Sequence, residues 1–70
     1  MERFEQYEIW SPQGNSARWQ LIAAFRDFDV ASAVASRRGR RVRLIHAVYE
    51  DGKLAQQQVI AELGNPRESP

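Results

Sequence analysis

The sequence of 70 residues lacks cysteine altogether and contains one histidine, one lysine and one methionine. Without cysteine the chain can form neither a disulfide bond nor a thiolate zinc site, and it has no thiol nucleophile. No apolar run approaches the roughly 18 residues that span a membrane. The first eight residues, MERFEQYE, are acidic and lack the apolar centre of a secretion signal. We therefore expect a cytoplasmic protein without membrane or metal partners.

Large apolar side chains are also scarce. Hydrophobic residues make up 43% of the chain, and nine of them are alanine. A domain of this size buries only about 60% of the surface of its unfolded chain, which leaves it marginally stable. Without covalent cross-links, very regular packing or association with a second chain has to supply the remaining stability.

The basic and acidic residues nearly balance. Ten Lys and Arg against nine Asp and Glu give a net charge of +1, which argues against a general polyanion binder. The distribution is uneven, because nine of the ten basic residues are arginine and five of these lie between Arg37 and Arg43. This arginine cluster is the most distinctive feature of the sequence.

Alternating apolar residues predict four strands, at residues 4–10, 17–25, 41–50 and 54–63. Between the second and third strands the period lengthens to nearly four, which predicts one helix of about ten residues. Asp27 or Asp29 would cap the start of this helix, and Gly39 would follow its end. Its buried stripe would consist of three residues: Val30, Ala33 and Val34.

These elements predict an α+β fold of order ββαββ. Two hairpins would form a four-stranded antiparallel sheet, with the single helix packed on one face. Residues 1–64 would make up this one domain. Residues 65–70, which contain two prolines and no large apolar side chain, would form a disordered tail.

The second hairpin has the clearest turn signal. Asp51-Gly52 occupies the two central positions, which strongly favours a type I′ turn. An uninterrupted register then places Tyr49 opposite Leu54 and His46 opposite Gln57. In that register one face of the hairpin is largely apolar, and the other is a mixed face made of Arg43, Ile45, Ala47 and Tyr49 with Ile60, Gln58, Gln56 and Leu54.

One helix covers only one face of such a sheet, so the other face is available to a partner. We predict a protein interface there, with a homodimer or an unidentified protein partner as its occupant. The predicted interface comprises Ile45, Tyr49, Leu54 and Ile60 in its apolar centre, with Arg43 and Gln58 on its rim. The two unpaired sheet edges offer a second route to a two-fold dimer.

The arginine cluster supports an alternative function as a nucleic-acid-binding module. Arginine pairs with phosphate and stacks on bases, and the residues that would bind are Arg38, Arg40, Arg41 and Arg43. Two observations oppose this function: the cluster lies at the negative end of the helix dipole, and the net charge is almost zero. The same arginines could instead cap the helix and pair with Glu2, Glu5, Glu8 or Glu62.

Catalytic and metal-binding patterns are absent from the sequence. His46 is the only imidazole, its expected neighbour Gln57 cannot activate it, and no metal-binding histidine spacing is present. Helix capping accounts for Asp27 and Asp29. We therefore expect a non-enzymatic protein without catalytic residues, cofactor or metal.

Taken together, the segments YEIW, RWQLIAAFRDFDVASAVASRRG, VRLIHAVYEDGKL and VIAELG resemble a family of small bacterial proteins to which no function has been assigned. The resemblance covers residues 2 to about 64 and implies the same fold, but no catalytic residue. The segment from Val42 to Gly64, with the stretch YEDGKLAQQQVIAELG, is also similar to the hairpin near the N-terminus of some insertion-sequence transposases. That similarity covers about a third of the chain, which lacks an acidic catalytic domain and has glutamine at positions 56–58 where such hairpins tend to carry arginine.

Overall fold

Four strands and one helix make up the structure, a computed structural model that describes residues 2–14 and 18–64. The elements are β1 (Arg3–Pro12), β2 (Trp19–Phe25), α1 (Phe28–Arg37), β3 (Val42–Glu50) and β4 (Lys53–Leu63). The predicted ββαββ fold of the α+β class is thus confirmed. The segment 65–70, predicted to be a disordered tail, lies outside the described residues.

The sheet has the order β2-β1-β3-β4, and all neighbouring strands are antiparallel. Both predicted hairpins are present, and the pairing of β1 with β3 joins them into one sheet. Helix α1 packs across β1, β2 and β3, which leaves β4 at the edge farther from the helix. We call the face that packs against α1 the helix face and the other the open face.

Helix α1 begins and ends where its sequence indicates. The carboxylate of Asp27 accepts a hydrogen bond of 3.0 Å from the backbone N–H of Asp29 and caps the first turn. Beyond the last turn, Gly39 has a φ of +72°, the left-handed conformation that commonly follows a helix. Local sequence alone is therefore enough to define both ends.

The buried stripe of α1 differs from the predicted one. Ala31 and Ala35 are buried and Val34 packs against the core, whereas Val30 is 45% exposed and Ala33 is also exposed. The prediction is wrong for Val30 and Ala33 because the helix turns Ala31 and Ala35 toward the sheet. These two alanines are four residues apart and lie on one side of the helix, so Val30 and Ala33 point away from the sheet. Small side chains at the contact allow the helix backbone to approach the sheet closely.

The core beneath α1 is small. Its buried cluster consists of Ile9, Ala31, Ala35, Val42 and Leu44. Six partly buried residues pack around this cluster: Tyr7, Ile22, Ala23, Val34, Phe25 and Leu63. Two of the five central residues are alanine, so the scarcity of large apolar side chains in the sequence is reflected directly in the core.

The turn between β3 and β4 is the predicted type I′ turn. Asp51 and Gly52 have φ values of 54° and 82°, as this turn requires. Tyr49 lies opposite Leu54, as predicted. The turn also contacts the start of β1, because the backbone N–H of Asp51 donates to the carbonyl of Glu2 at 2.8 Å.

Beyond this turn the predicted register is wrong, because β4 shifts twice against β3. Ala55 and Ile60 each add one residue that β3 does not match, and each forms a β-bulge. His46 consequently lies opposite Gln58, not Gln57. A bulge moves every later residue to the other face, so the predicted composition of both faces changes.

A third bulge lies in β2 at Ile22, opposite β1. Without it, alternation would place Trp19, Leu21, Ala23 and Phe25 on a single face. With it, Ala23 and Phe25 lie on the helix face and pack against the core, whereas Trp19 and Leu21 lie on the open face. The bulge therefore brings a tryptophan to the side of the sheet that has no helix.

Candidate interaction surface

The open face is built from alternate residues of β1, β3 and β4, with Trp19 and Leu21 of β2 at its side. The register of β1, β3 and β4 places their residues in four rows across the sheet: Trp10, Arg43 and Glu62; Glu8, Ile45 and Val59; Gln6, Ala47 and Gln57; Phe4, Tyr49 and Leu54. Aromatic, aliphatic and charged side chains are therefore interleaved on this face.

Glu8 lies at the centre of the open face and is only 2% exposed. Three side chains donate hydrogen bonds to its carboxylate: Tyr49 at 2.6 Å, Gln6 at 2.8 Å and Trp10 at 2.9 Å. Burial by itself would raise the pKa of Glu8, but these hydrogen bonds outweigh it and hold the pKa below its ordinary value. The hydrogen bond to Glu8 also raises the pKa of the Tyr49 phenol. The open face is thus organised around a buried negative charge.

Sequence reasoning missed this Glu8 cluster. Gln6, Glu8 and Trp10 alternate along β1, and this spacing alone indicates that they share one face. Tyr49 joins them only through the pairing of β1 with β3, and the prediction of two separate hairpins left that pairing undefined.

Side chains of the protein itself cover much of the open face. Phe4 stacks on Tyr49 with 5.1 Å between the ring centroids. The guanidinium of Arg26 lies 5.3 Å from the centroid of the Phe4 ring. Two rows away, Ile45 lies between Glu8 and Val59 and is only 5% exposed, so its prediction as an exposed interface residue is wrong.

The six predicted interface residues do not form one patch. Arg43, Ile45 and Tyr49 lie on β3 and are already engaged by neighbours within the chain, whereas Leu54, Gln58 and Ile60 lie on β4 and are exposed. Because of the register shifts, Gln58 pairs with His46 on the helix face and Ile60 is a bulge residue. Gln57 and Val59 take the corresponding positions on the open face.

Strand β4 is the more exposed of the two edge strands. All eight residues from Lys53 to Ile60 are exposed, and the exposure reaches 50% for Leu54 and 51% for Val59. The outer edge of β4 has no strand partner within the described part of the chain. From Leu54 to Ala61 the strand carries no charged side chain of the kind that disfavours edge-to-edge pairing.

At the end of the open face away from the β3–β4 turn, two arginines stack on one tryptophan. The guanidinium carbons of Arg43 and Arg41 lie 3.9 Å and 5.2 Å from the ring centroid of Trp19. Both arginines pair with Glu62, at 2.7 Å and 3.8 Å. The hydrogen bond from Arg43 is the main reason that the pKa of Glu62 lies below its ordinary value. The Nε of Arg41 is buried and has no hydrogen-bond partner among the described residues.

Three surface cavities follow the arginines from the open face to the end of α1. A cavity of about 200 Å³ is lined by Trp10, Trp19, Arg43, Ile45 and Gln57. One of about 300 Å³ is lined by Ser11, Pro12, Gly14, Arg40 and Arg41. One of about 510 Å³ is lined by Val34, Arg37, Arg38 and Arg40. We call this surface, with its five arginines from Arg37 to Arg43, the arginine groove.

Two of the expected roles for the arginines are present. Arg38 is the C-terminal cap residue of α1, and Glu62 is the carboxylate that pairs with Arg41 and Arg43. The carboxylate of Glu8, by contrast, binds Tyr49, Gln6 and Trp10 and no arginine. In residues 2–14 and 18–64, Arg37 and Arg40 form no ion pair.

His46 lies on the helix face in a carboxylate pair that the sequence did not predict. Its Nε2 lies 2.9 Å from Oε1 of Glu5, and its ring stacks on Tyr7 with 5.1 Å between centroids. The bulge at Ala55 replaces the expected neighbour Gln57 with Gln58. Arg3 also lies 3.7 Å from Glu5, so the Glu5 carboxylate contacts both Arg3 and the His46 ring.

The described residues, 2–14 and 18–64, contain no cluster of three or more His, Asp or Glu side chains able to hold a metal ion. Within the same ranges, no helix has the length and apolar character required to cross a membrane. Comparisons with protein-family models, with curated proteins and with solved structures found no match for this chain. The two resemblances noted in its motifs therefore stay predictions.

Proposed function

We propose that the protein is a small, non-enzymatic interaction module that forms a homodimer through the edge of β4. The observation that carries this proposal is the exposure of eight consecutive residues, Lys53–Ile60, on a strand with an unpaired edge. Backbone N–H and C=O groups along such an edge can pair with a strand of another chain.

The register of such a dimer follows from the length of β4. The strand has eleven residues and its middle residue is Gln58, so a two-fold axis through Gln58 aligns the full length of two antiparallel copies. Leu54 then lies opposite Glu62 of the second copy, and Gln57 lies opposite Val59. Directly opposed residues in an antiparallel pair must lie on the same face, and both of these pairs meet that requirement.

A second copy of the chain is favoured over an unrelated peptide for two reasons. A two-fold contact closes on itself and satisfies the edges of both copies at once. The exposed apolar side chain of Val59 would also lie beside the axis, diagonally across from Val59 of the second copy, where both lose contact with water.

The two bulges limit the strength of this contact. Ala55 and Ile60 lie on either side of the axis, and Gln56 faces Ile60 of the second copy, so residues 57–59 form the regular centre of the pair. Bulges restrict edge-to-edge pairing. We therefore expect a reversible dimer whose population depends on protein concentration.

A like-charge substitution at the axis tests the proposal. In the wild type, light scattering behind a sizing column should give a mass that rises with concentration toward twice 8.1 kDa. Gln58→Lys places two positive charges across the axis and should give the monomer mass at every concentration. The matched control is Gln20→Lys, which makes the same change at an exposed position of the other edge strand and should still dimerise.

A charge swap makes the test specific. Gln58→Glu should also be monomeric alone, but an equal mixture of Gln58→Lys and Gln58→Glu should dimerise, because opposite charges then face each other. Circular dichroism confirms that each variant is folded. A wild type that stays at 8.1 kDa at all concentrations contradicts the proposal, as does a Gln20→Lys variant that loses the dimer to the same extent.

A further inference from the structure

We propose that the arginine groove binds single-stranded nucleic acid, with a base stacked beside the tryptophans and phosphates paired with the arginines. This site goes beyond the proposed dimer, because pairing at the β4 edge leaves the open face uncovered. Neither proposal depends on the other.

Positive charge is concentrated in the groove although the chain is nearly neutral. Five guanidinium groups, from Arg37 to Arg43, line it, and Glu62 pairs with two of them, Arg41 and Arg43. Arg40 lines both the cavity at the end of α1 and the cavity beside Ser11 and Pro12, so these two cavities adjoin. Arg41 lines the second of them and lies over the ring of Trp19, which lines the tryptophan cavity. These arginines also neutralise the partial negative charge at the end of α1, which removes the local obstacle to binding phosphate.

The arginines retain hydrogen-bond donors without acceptors. The Nε of Arg41 is buried and unpartnered among the described residues, an unfavourable arrangement for a polar atom. Arg43 uses its own Nε for Glu62, and its two terminal nitrogens have no hydrogen-bond partner among the described residues. The Arg41 and Arg43 side chains are 41% and 35% exposed, so a ligand can reach their terminal nitrogens. Guanidinium groups bind phosphate oxygens through paired, charge-assisted hydrogen bonds, so phosphate is an acceptor that fits these nitrogens.

The aromatic part of the groove fits an unpaired base. Both tryptophans of the chain, Trp10 and Trp19, line the cavity of about 200 Å³. The indole N–H of Trp10 donates to Glu8 at 2.9 Å, which fixes the orientation of that ring. The cavity is smaller than the roughly 300–1,000 Å³ that encloses a whole drug-sized ligand, so it suits one ring of a longer chain.

Single strands are favoured over duplexes and over acidic peptides. Bases can stack on aromatic rings and guanidinium planes only when they are unpaired. The tryptophan cavity lies on the open face of the sheet, where the described residues place no helix that could enter a duplex groove. An acidic peptide would pair with the arginines but would leave the tryptophan cavity without a planar partner.

Glu62 acts as an internal competitor in this site. Its pKa lies below the ordinary value, so it is ionised at neutral pH and occupies Arg43 and Arg41. A phosphate that binds these arginines has to displace it. Glu62→Gln should therefore tighten binding severalfold, an outcome that a purely structural ion pair does not predict.

The first experiment titrates the full chain with fluorescein-labelled oligo-dT and oligo-U of about 12 nucleotides, a length within the site sizes of single-strand binders. Fluorescence anisotropy reports binding, and intrinsic tryptophan fluorescence reports stacking, since both tryptophans lie in the groove. We expect saturable binding and quenched tryptophan emission. The logarithm of the binding constant should fall linearly with the logarithm of the salt concentration, with a slope of about 0.7 per neutralised phosphate.

Variants separate the two parts of the site. Trp19→Ala should weaken binding about tenfold with little change in the salt slope, because base stacking is lost. Trp19→Phe keeps an aromatic ring and should largely retain the wild-type affinity. Arg40→Gln should reduce the salt slope by about 0.7. The matched control is Arg3→Gln, which removes the same charge at the opposite end of β1 and should bind as the wild type does.

Several results overturn the proposal. Binding that leaves tryptophan emission unchanged, equal affinity for a duplex of the same sequence, or full competition by polyglutamate at equal charge contradicts a single-strand site. If Arg3→Gln and Arg40→Gln lose affinity equally, binding depends on the net charge of the protein and not on the arginine groove. The monomeric Gln58→Lys variant should bind the oligonucleotides unchanged, so failure of the dimer and failure of this site are distinguishable.

Discussion

Glu8 is a charged residue buried on the side of the sheet that has no helix. An isolated buried carboxylate is strongly unfavourable unless hydrogen bonds replace its water shell. Here the donors are Tyr49, Gln6 and Trp10, and the two aromatic donors also shield the carboxylate from solvent. Removing any donor leaves the charge buried and only partly satisfied.

Tyr49→Phe should therefore lower the free energy of unfolding by about 2 kcal/mol near neutral pH, the range for a hydrogen bond to a charged group. The measurement is urea denaturation followed by circular dichroism. The matched control is Tyr7→Phe, because the Tyr7 hydroxyl has no hydrogen-bond partner among the described residues and its loss should cost little.

The difference between wild type and Tyr49→Phe should also depend on pH. The pKa of Glu8 in the folded protein lies below its ordinary value of 4.5, so the stability it contributes is present above that pH and is lost as the pH falls toward the folded-state pKa. Loss of the Tyr49 hydrogen bond raises the folded-state pKa. The stability gap should therefore be largest near neutral pH and shrink below about pH 4.5. A gap that is constant with pH contradicts the role assigned to the ionised carboxylate.

Individual elements are specified by local chemistry. The Asp27 cap and Gly39 define the ends of α1, and Asp51-Gly52 defines the turn between β3 and β4. The bulges of β2 and β4 are different, because each depends on how a strand matches its neighbour. Elements and turns are therefore local properties of this chain, whereas register is not.

Asp27→Ala tests the local specification of α1. Loss of the side-chain acceptor should destabilise the protein by about 1 kcal/mol, measured by thermal or urea unfolding. Asp27→Asn retains an acceptor at the cap and should remain close to the wild type. Equal destabilisation by both substitutions would show that the charge of Asp27, and not its capping hydrogen bond, is what matters.

The whole molecule has a core under only part of its sheet. Helix α1 packs across three strands, the central core cluster has five residues, and most of β4 is exposed. A dimer through the β4 edge would add buried surface that the single chain lacks, which couples folding to association.

Thermal stability should therefore depend on protein concentration. The wild-type midpoint should rise as concentration increases, because the dimer forms only from folded chains. Gln58→Lys should show one midpoint at all concentrations, close to that of the most dilute wild type. A wild-type midpoint that does not change with concentration, measured by differential scanning calorimetry, would argue against association at this edge.

The sequence by itself determined the number, type and order of the elements, the ends of α1 and the β3–β4 turn. These depend on hydrophobic period, capping residues and residues able to adopt positive φ, all of which act within a few positions of the chain. The predicted interface residues on β4, Leu54, Gln58 and Ile60, are also exposed. The predicted face is confirmed for Leu54 and is wrong for Gln58, which lies on the helix face, while Ile60 is a bulge residue.

Tertiary structure alone decided the register of β4, the composition of the open face and the partners of its charged residues. A single inserted residue moves every later side chain of a strand to the other face. The position of a bulge depends on the neighbouring strand, so it cannot be predicted from the alternation of residues in one strand. For the same reason the sequence alone does not show that Glu8 contacts Tyr49, that His46 contacts Glu5 or that Trp19 contacts Arg43. Each of these contacts joins residues that are distant in the sequence and depends on how the strands pair. The shortage of large apolar residues is evident from the composition, but only the folded sheet shows that β4 is the edge strand left exposed.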